Sequence, residues 1–212
     1  MKLYTFWRSS AAFRARIALN LKGLRYESIP KRFAGDEHRA ADYLALNPQG
    51  LIPALEDDGL VIGQSLAIIE YLDETHREPP LLPPDPRGRA VVRSMAQGIA
   101  CDIHPLNNLR VLNYLKGPLG QDAAGVDRWY HHWIHEGFTG LEQLARRHSG
   151  DGAHLYGSTV TLADVCLVPQ LYNARRFRCD LAAFPTLTAI GAALEALPAF
   201  AAARPEVQPD AS

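Results

Sequence analysis

The stretch Phe6-Trp7-Arg8-Ser9-Ser10-Ala11-Ala12-Phe13-Arg14-Ala15-Arg16-Ile17-Ala18-Leu19 decides how the first half of the chain folds. An apolar run from Leu3 to Trp7 reads as a strand and stops at two serines. A helical pattern follows at once, with Phe13, Ile17 and Leu21 spaced for one face. Two hydroxyls therefore stand where a strand hands over to a helix. The first N–H groups of that helix have no partner inside it and carry partial positive charge, so an anion is favoured there. If the anion is a thiolate, a serine hydroxyl that donates to it lowers the thiol pKa. The plainer alternative is that Ser9 or Ser10 only caps the helix, because Ser is a leading N-cap residue.

Outward from this stretch, strand and helix signals alternate over the first 75 or so residues. The helix Ala11–Lys22 closes on Gly23 in the C′ role. Tyr26–Ile29 reads as a second strand and Glu37–Leu46 as a less regular helix. Ala54-Leu55-Glu56 and Leu60-Val61-Ile62 flank Asp57-Asp58-Gly59, a hairpin signal, and Ser65–Thr75 closes the unit as a helix. The order β-α-β-α-β-β-α predicts a mixed sheet with helices on both faces. From His76 to Pro86 there are five prolines, a density that excludes helix and inner strand and reads as a stiff linker. Beyond it the strand signals vanish. Arg89–Lys116 and Ala123–His148 each read as one long helix, and Val160–Phe177, Pro185–Leu194 and Pro198–Ala203 supply three more. Thr161-Leu162-Ala163-Asp164 is a capping box, with Val160 and Val165 placed as a hydrophobic staple. Arg204 to Ser212 reads as a loose tail.

Composition narrows the class. At 212 residues, 47% hydrophobic and 21% charged, the chain has the make-up of an ordinary globular protein. A net charge of −1 gives no general attraction for nucleic acid or an anionic membrane, so any anion recognition must come from a local cluster of Arg. No apolar run reaches the ~18 residues of a membrane span, and Arg8 interrupts the first one before it resembles a signal peptide. Cys101, Cys166 and Cys179 are far apart, with no metal-ligand spacing. They read as reduced, mostly buried cysteines of a cytoplasmic protein, and no metal is expected.

An α/β unit of this order, a Pro-rich linker and an all-helical second half together resemble the glutathione transferase fold, whose N-terminal domain is thioredoxin-like. Within that superfamily the chain resembles the zeta class, which contains maleylacetoacetate and maleylpyruvate isomerases. The resemblance is carried by Trp7-Arg8-Ser9-Ser10 with Arg14 to Leu19, by Ala45-Leu46-Asn47-Pro48-Gln49 with Ile52-Pro53, and by Gln64-Ser65 through Leu72. It continues in Asp102-Ile103-His104-Pro105-Leu106-Asn107-Asn108 and in Leu162-Ala163-Asp164 through Arg176-Phe177. The Arg-Ser-Ser and Asp-Ile-His-Pro runs are the specific ones. The implied domains are a thioredoxin-like glutathione-binding domain over 1–78, a linker over 79–87, and a helical domain over 88–212 that supplies the substrate pocket. The family usually shows Ser-Ser-Cys in the first loop, and Ala11 takes the place of that Cys.

The resemblance also implies roles. Ser9 activates the sulfur of glutathione, with Ser10 and Ala11 beside it. Ile52, before a cis Pro53, presents its backbone to the extended tripeptide, whereas proline statistics alone favour a trans bond. Gln64 and Ser65 receive the γ-glutamyl carboxylate at a helix start, and His38 and Gln49 donate to the glycyl end. Pro105 should kink its long helix and turn Asp102, His104 and Asn108 toward the cleft; a kink needed only for packing is the alternative. Arg8, Arg110 and Arg176 are the guanidinium forks for a small dianionic keto acid, although a lone Arg is usually a surface residue. The implied activity is glutathione-dependent cis–trans isomerisation of maleylacetoacetate to fumarylacetoacetate. Leu109 and Arg110 after Asn108 incline the reading to that substrate. The alternatives are a maleylpyruvate isomerase, a general glutathione transferase for small electrophiles, and a non-enzymatic interaction module. A homodimer is implied as well.

Overall fold

The computed structural model describes residues 1–211. They divide into two compact units, Met1–Pro80 with residues 196–211, and Leu81–Glu195.

The first unit is built on a four-stranded sheet of order β2-β1-β3-β4, with β1 Lys2–Thr5, β2 Glu27–Pro30, β3 Ala54–Asp57 and β4 Leu60–Gly63. β1 runs parallel to β2 and antiparallel to β3, and β3 pairs antiparallel with β4 through the expected hairpin. Leu3, Tyr4 and Thr5 are all buried, and neighbouring residues of a strand face opposite sides, so β1 is covered on both faces. Helix α1 (Ser10–Leu21) closes as a Schellman turn: Gly23 takes φ +65, its N–H reaches Asn20, and the Leu24 N–H reaches Leu19. The second helical segment is not continuous. Asp36 at φ 54 opens a 3₁₀ turn, Glu37–Arg39, and α2 is only Ala41–Leu46. Helix α3 spans Ser65–Thr75, as its periodicity predicts.

The proline-rich stretch is shorter as a spacer than its composition suggests. Leu81 and Leu82 are buried, and the Leu81 carbonyl accepts from the Leu162 N–H at 2.8 Å. Pro86 is the first helical residue of α4 (Pro86–Gln97), capped by Asp85, whose carboxylate accepts from the Gly88 N–H at 2.8 Å. Proline suits that position because the N–H it lacks has no helical partner there.

Among the described residues the regular elements of the second unit are all helices, but the long helix expected over Arg89–Lys116 is broken. After α4 the backbone widens into a π turn, Gly98–Ile103, in which the His104 N–H reaches the Ile99 carbonyl at 2.9 Å. Pro105 has no N–H to continue the ladder, and helix α5 restarts at Leu109–Lys116 under an Asn108 cap. Helices α6 (Ala123–His148), α7 (Leu162–Arg176) and α8 (Pro185–Glu195) complete the unit. Asp164 is fully buried and accepts from the Thr161 N–H at 2.7 Å and the Leu155 N–H at 2.8 Å, so the capping box also ties down the preceding loop.

The C-terminal residues correct the expectation of a loose tail on the helical domain. Helix α9 (Pro198–Ala201) and a 3₁₀ turn, Pro205–Val207, group with the first unit. The Asn20 amide donates to the Ala199 carbonyl at 2.9 Å, and the buried Arg16 donates to the Ala203 carbonyl at 3.1 Å. A polar anchor inside α1 decides where this segment lies, and hydrophobic periodicity does not register such an anchor.

Candidate active site

In the first unit the strand–helix junction forms as the sequence predicts. Ser9 is the N-cap of α1: its backbone is extended (φ −70, ψ 118), and its Oγ accepts from the Ala12 N–H at 3.3 Å. Capping uses a lone pair of the hydroxyl and leaves its proton available, so capping and donation to an anion are compatible. Ser10 begins the helix and is buried, while Ala11 is half-buried. Arg8 is exposed, with its guanidinium 5.1 Å from the centre of the Trp7 ring.

Several other candidates are tied to the same junction. Ile52 is buried in a cluster with Tyr4, Ala12 of α1, Tyr43 and Ala54, against which Phe6 and Phe33 pack. The Ile52–Pro53 bond is cis, as the resemblance implies, and so is Glu78–Pro79, which nothing in the sequence singles out. Phe6 meets Phe33 edge-on at 5.1 Å, and the Phe33 ring lies 4.7 Å from that of His38. His38 is buried, and its Nδ1 has no hydrogen-bond partner among the described residues. Gln64 takes φ 67, ψ 118, a conformation that costs a non-glycine residue about 1–3 kcal/mol. It is held there by an amide hydrogen bond to Gln49 Oε1 at 2.8 Å. Ser65, the first residue of α3, is buried, and its Oγ accepts from Arg14 at 3.4 Å.

Arg14 and Asn47 went unnoticed in the sequence as contributors. Asn47 donates to the Leu51 carbonyl at 2.8 Å and accepts from the Gln49 N–H at 3.3 Å, which shapes the turn before Ile52. Two arginines within the apolar run of α1 are the sequence signal that could have found Arg14, because a buried guanidinium needs polar work to do.

The remaining candidates lie in the second unit. Asp102 is exposed on the π turn and His104 half-buried just after it. Asn108 caps α5, accepting from the Arg110 N–H at 3.1 Å, and Arg110 itself is exposed. Arg176 ends α7, exposed, with its guanidinium 4.6 Å from the centre of the Phe177 ring. Phe177 stacks on Tyr130 at 3.8 Å, and the Tyr130 carbonyl accepts from Asn107 at 3.3 Å. This chain of contacts links the end of α7 to the start of α5. The Tyr130 ring is buried against Phe177, and that burial raises its hydroxyl well above its ordinary range. Of the cysteines only Cys166 is buried; Cys101 is exposed and Cys179 half-buried, with its thiol pushed up to about 11 by burial, too high for a nucleophile. Among the described residues no cluster of His, Cys, Asp or Glu could hold a metal ion, and no helix is long and apolar enough to cross a membrane.

The chain is similar to known proteins over its whole length. Residues 1–74 match the family model of the glutathione S-transferase N-terminal domain. Over 99% of its length the chain is 53% identical to a probable maleylacetoacetate isomerase of Vibrio cholerae, covering 97% of that protein. Among solved structures it is similar to the holo form of a maleyl pyruvate isomerase, described as a bacterial glutathione S-transferase of the zeta class. The TM-score is 0.97 at 47% identity, with 100% of both chains covered. It is also similar to a maleylacetoacetate isomerase from Methylobacterium extorquens with bound malonate and GSH, with a TM-score of 0.95 at 42% identity and 100% of both chains covered. The chain belongs to the zeta class of glutathione S-transferases, the family of the maleylacetoacetate and maleylpyruvate isomerases.

Proposed function

We propose that this protein is a glutathione-dependent cis–trans isomerase of a maleyl keto acid, with maleylacetoacetate as substrate. The observation that carries it is the Ser9 hydroxyl, which caps α1 through its oxygen at 3.3 Å from the Ala12 N–H while its proton remains available to an anion.

The residues of the first unit fit glutathione in their chemistry. The starts of α1 and α3 both favour an anion, which suits a thiolate at Ser9 and a carboxylate at Gln64 and Ser65. The orphaned Nδ1 of His38 and the side chain of Gln49 suit the glycyl end. Ile52 offers its backbone to an extended peptide, and Ser10 and Ala11 line the same helix start. In the second unit Asp102, His104 and Asn108 are proposed as further contacts to glutathione.

When bound, glutathione supplies a sulfur nucleophile that adds reversibly to the conjugated alkene, so that the bond can rotate. The chain does the rest. Ser9 and the N-terminus of α1 hold the sulfur in its charged form near neutral pH. Arg8, Arg110 and Arg176 hold the two carboxylates and the oxyanion that develops from the ketone, which stabilises charge as it forms. Placing nucleophile and alkene side by side supplies the proximity contribution.

A specific observation also favours a second reading, maleylpyruvate as substrate: the zeta-class structure with a TM-score of 0.97 is a maleyl pyruvate isomerase. The two keto acids differ by one methylene, a difference worth only ~1–3 kcal/mol in a pocket. Side-by-side turnover of both, with and without glutathione, decides between them. Rates that do not depend on glutathione would remove the proposal itself. A homodimer is part of the same reading, expected to scatter light as twice the 23.4 kDa chain. So is a cytoplasmic location, in keeping with three cysteines of which no two are joined in a disulfide.

A further inference from the structure

The loop that carries Arg8 and Ser9 is gripped from both sides of one residue, Trp7. The Trp7 N–H donates to Asp210 Oδ2 at 2.9 Å, although the two residues are 203 positions apart. The Trp7 carbonyl accepts from Arg16 Nη2 at 2.9 Å. The same guanidinium donates to the Phe6 carbonyl at 3.4 Å, to Thr5 Oγ1 at 3.2 Å and to the Ala203 carbonyl at 3.1 Å. Arg16 is fully buried; burial lowers its guanidinium pKa to about 10, against the opposing pull of Tyr26 and then of the Asp210 carboxylate. Asp210 and Arg16 thus hold the donor and acceptor ends of a single residue, and the C-terminal segment is tied to both.

This grip is not a by-product of apolar packing. A buried guanidinium is costly unless its N–H groups find partners; of the four acceptors that Arg16 meets, three lie on the loop and the returning segment and the fourth, Thr5 Oγ1, closes β1. Asp210 Oδ1 is itself buried and has no hydrogen-bond partner among the described residues, while Oδ2 accepts from the Trp7 N–H. The segment is stiffened upstream, where the Gln208 amide donates to the Arg204 carbonyl at 2.8 Å and the Ala202 carbonyl at 3.1 Å. Two residues past Trp7 the Ser9 N–H donates to the Phe6 carbonyl at 3.0 Å, so the position of Ser9 is referred directly to the residues the latch holds.

We propose that Asp210 is a positioning residue: through the Trp7 N–H it latches the C-terminal segment onto the Phe6–Ser9 loop and fixes where the Ser9 hydroxyl sits. The catalytic consequence rests on the glutathione reading above; the latch does not. Asp210 touches neither the sulfur nor the substrate in this scheme and acts only through the loop backbone.

The test compares wild type, Asp210→Ala and Asp210→Asn as full chains. Amide hydrogen exchange at Trp7 and Ser9, read without glutathione, should speed up about tenfold or more in the Ala variant, the loss expected for a hydrogen bond to a charged acceptor. The Asn variant keeps an acceptor oxygen and should recover most of the protection. With glutathione bound, the ultraviolet titration of its thiol should move to higher pH, and kcat should fall about threefold to tenfold with KM changed less. Wild-type exchange at Trp7 and Ser9 in the Ala variant overturns the latch. Faster exchange with wild-type thiol titration and kcat overturns the positioning role. If the Ala variant does not fold, Asp210→Leu, which keeps the side-chain shape and removes both acceptor oxygens, decides on the same criteria. If wild type binds no glutathione, the functional reading fails, while the exchange data alone still decide whether Asp210 orders this loop.

Discussion

The two units handle their candidate residues in opposite ways. In the first, the residues matter through backbone conformation: Ser9 as a cap, Gln64 at φ 67, and Ser65 at a helix start. Most are tied to a neighbour by hydrogen bonds or ring contacts. In the second, Asp102, Arg110 and Arg176 are exposed, and the fold contributes mainly their places, at a π turn and at helix ends. The difference is physical. Lowering a thiol pKa needs donors fixed to within a few tenths of an ångström, which backbone geometry can supply. Holding a carboxylate needs charge and reach, which a long Arg side chain supplies from a solvated position.

Four measurements break or sharpen this contrast. The largest effect is expected from Asp164→Ala, which leaves the Leu155 and Thr161 N–H groups without their buried acceptor. The cost should be about 3–5 kcal/mol in denaturant unfolding, with activity lost through folding. A mild effect would mean that the second unit is less cooperative than its capping box suggests. Ser9→Ala should lower isomerase turnover roughly tenfold or more, equivalent to ~1.5–3 kcal/mol of a charge-assisted bond. The accompanying stability loss should be only ~1 kcal/mol, that of a helix cap. Wild-type turnover in this variant would reject Ser9 as the activator and erase the contrast between the units.

Gly137→Ala tests the wall of the second unit. A Cβ there would stand 2.2 Å from Ile103 Cγ1 and 2.3 Å from its Cδ1, so the Ile103 side chain on the π turn must move. About 1–3 kcal/mol of stability should be lost. Unchanged stability would mean that the π turn yields freely. The smallest effect concerns Glu142. Burial pushes its carboxyl up, but the Thr186 hydroxyl, the Leu187 and Thr186 N–H groups and Arg146 outweigh that and hold it below its ordinary range. A depressed carboxyl adds stability above its unfolded value, near ~4.3, and loses it as pH falls through the lower folded value. The stability gap between wild type and Glu142→Gln should therefore narrow on acidification below about pH 4.5. A constant gap would place the contribution of Glu142 in packing.

Much of the fold is legible in the sequence because the signals are local. Ser65–Thr75 and Ala123–His148 follow from periodicity, and Gly23 and the Thr161–Asp164 box mark their helix ends by side-chain chemistry. The misses share a cause. The segment Glu37–Leu46 breaks at the extended Ala40, and Arg89–Lys116 breaks into α4, a π turn and α5, because apolar spacing does not register a lost backbone hydrogen bond. Pro105 signals the second break; only its form, a widened turn, came from the structure. Of the candidate site, Ser9, Ile52 and Gln64 are readable through the family resemblance. Arg14 is only hinted at by its place in an apolar run, because nothing in the spacing of α1 says that its guanidinium meets Ser65 some 51 residues away.

By itself the sequence determined the order of the elements, the strand–helix junction at Ser9, and the place where the α/β half gives way to helices. Each of these is written in side chains within a few residues of one another. Only the tertiary structure decided where residues 196–211 lie, that Arg16 and Asp210 meet at Trp7, and that His38 approaches the Phe6 loop through Phe33. Those are contacts between distant parts of the chain. A buried charge takes whatever acceptors the folded backbone offers, and the linear sequence carries no record of which carbonyl will be near.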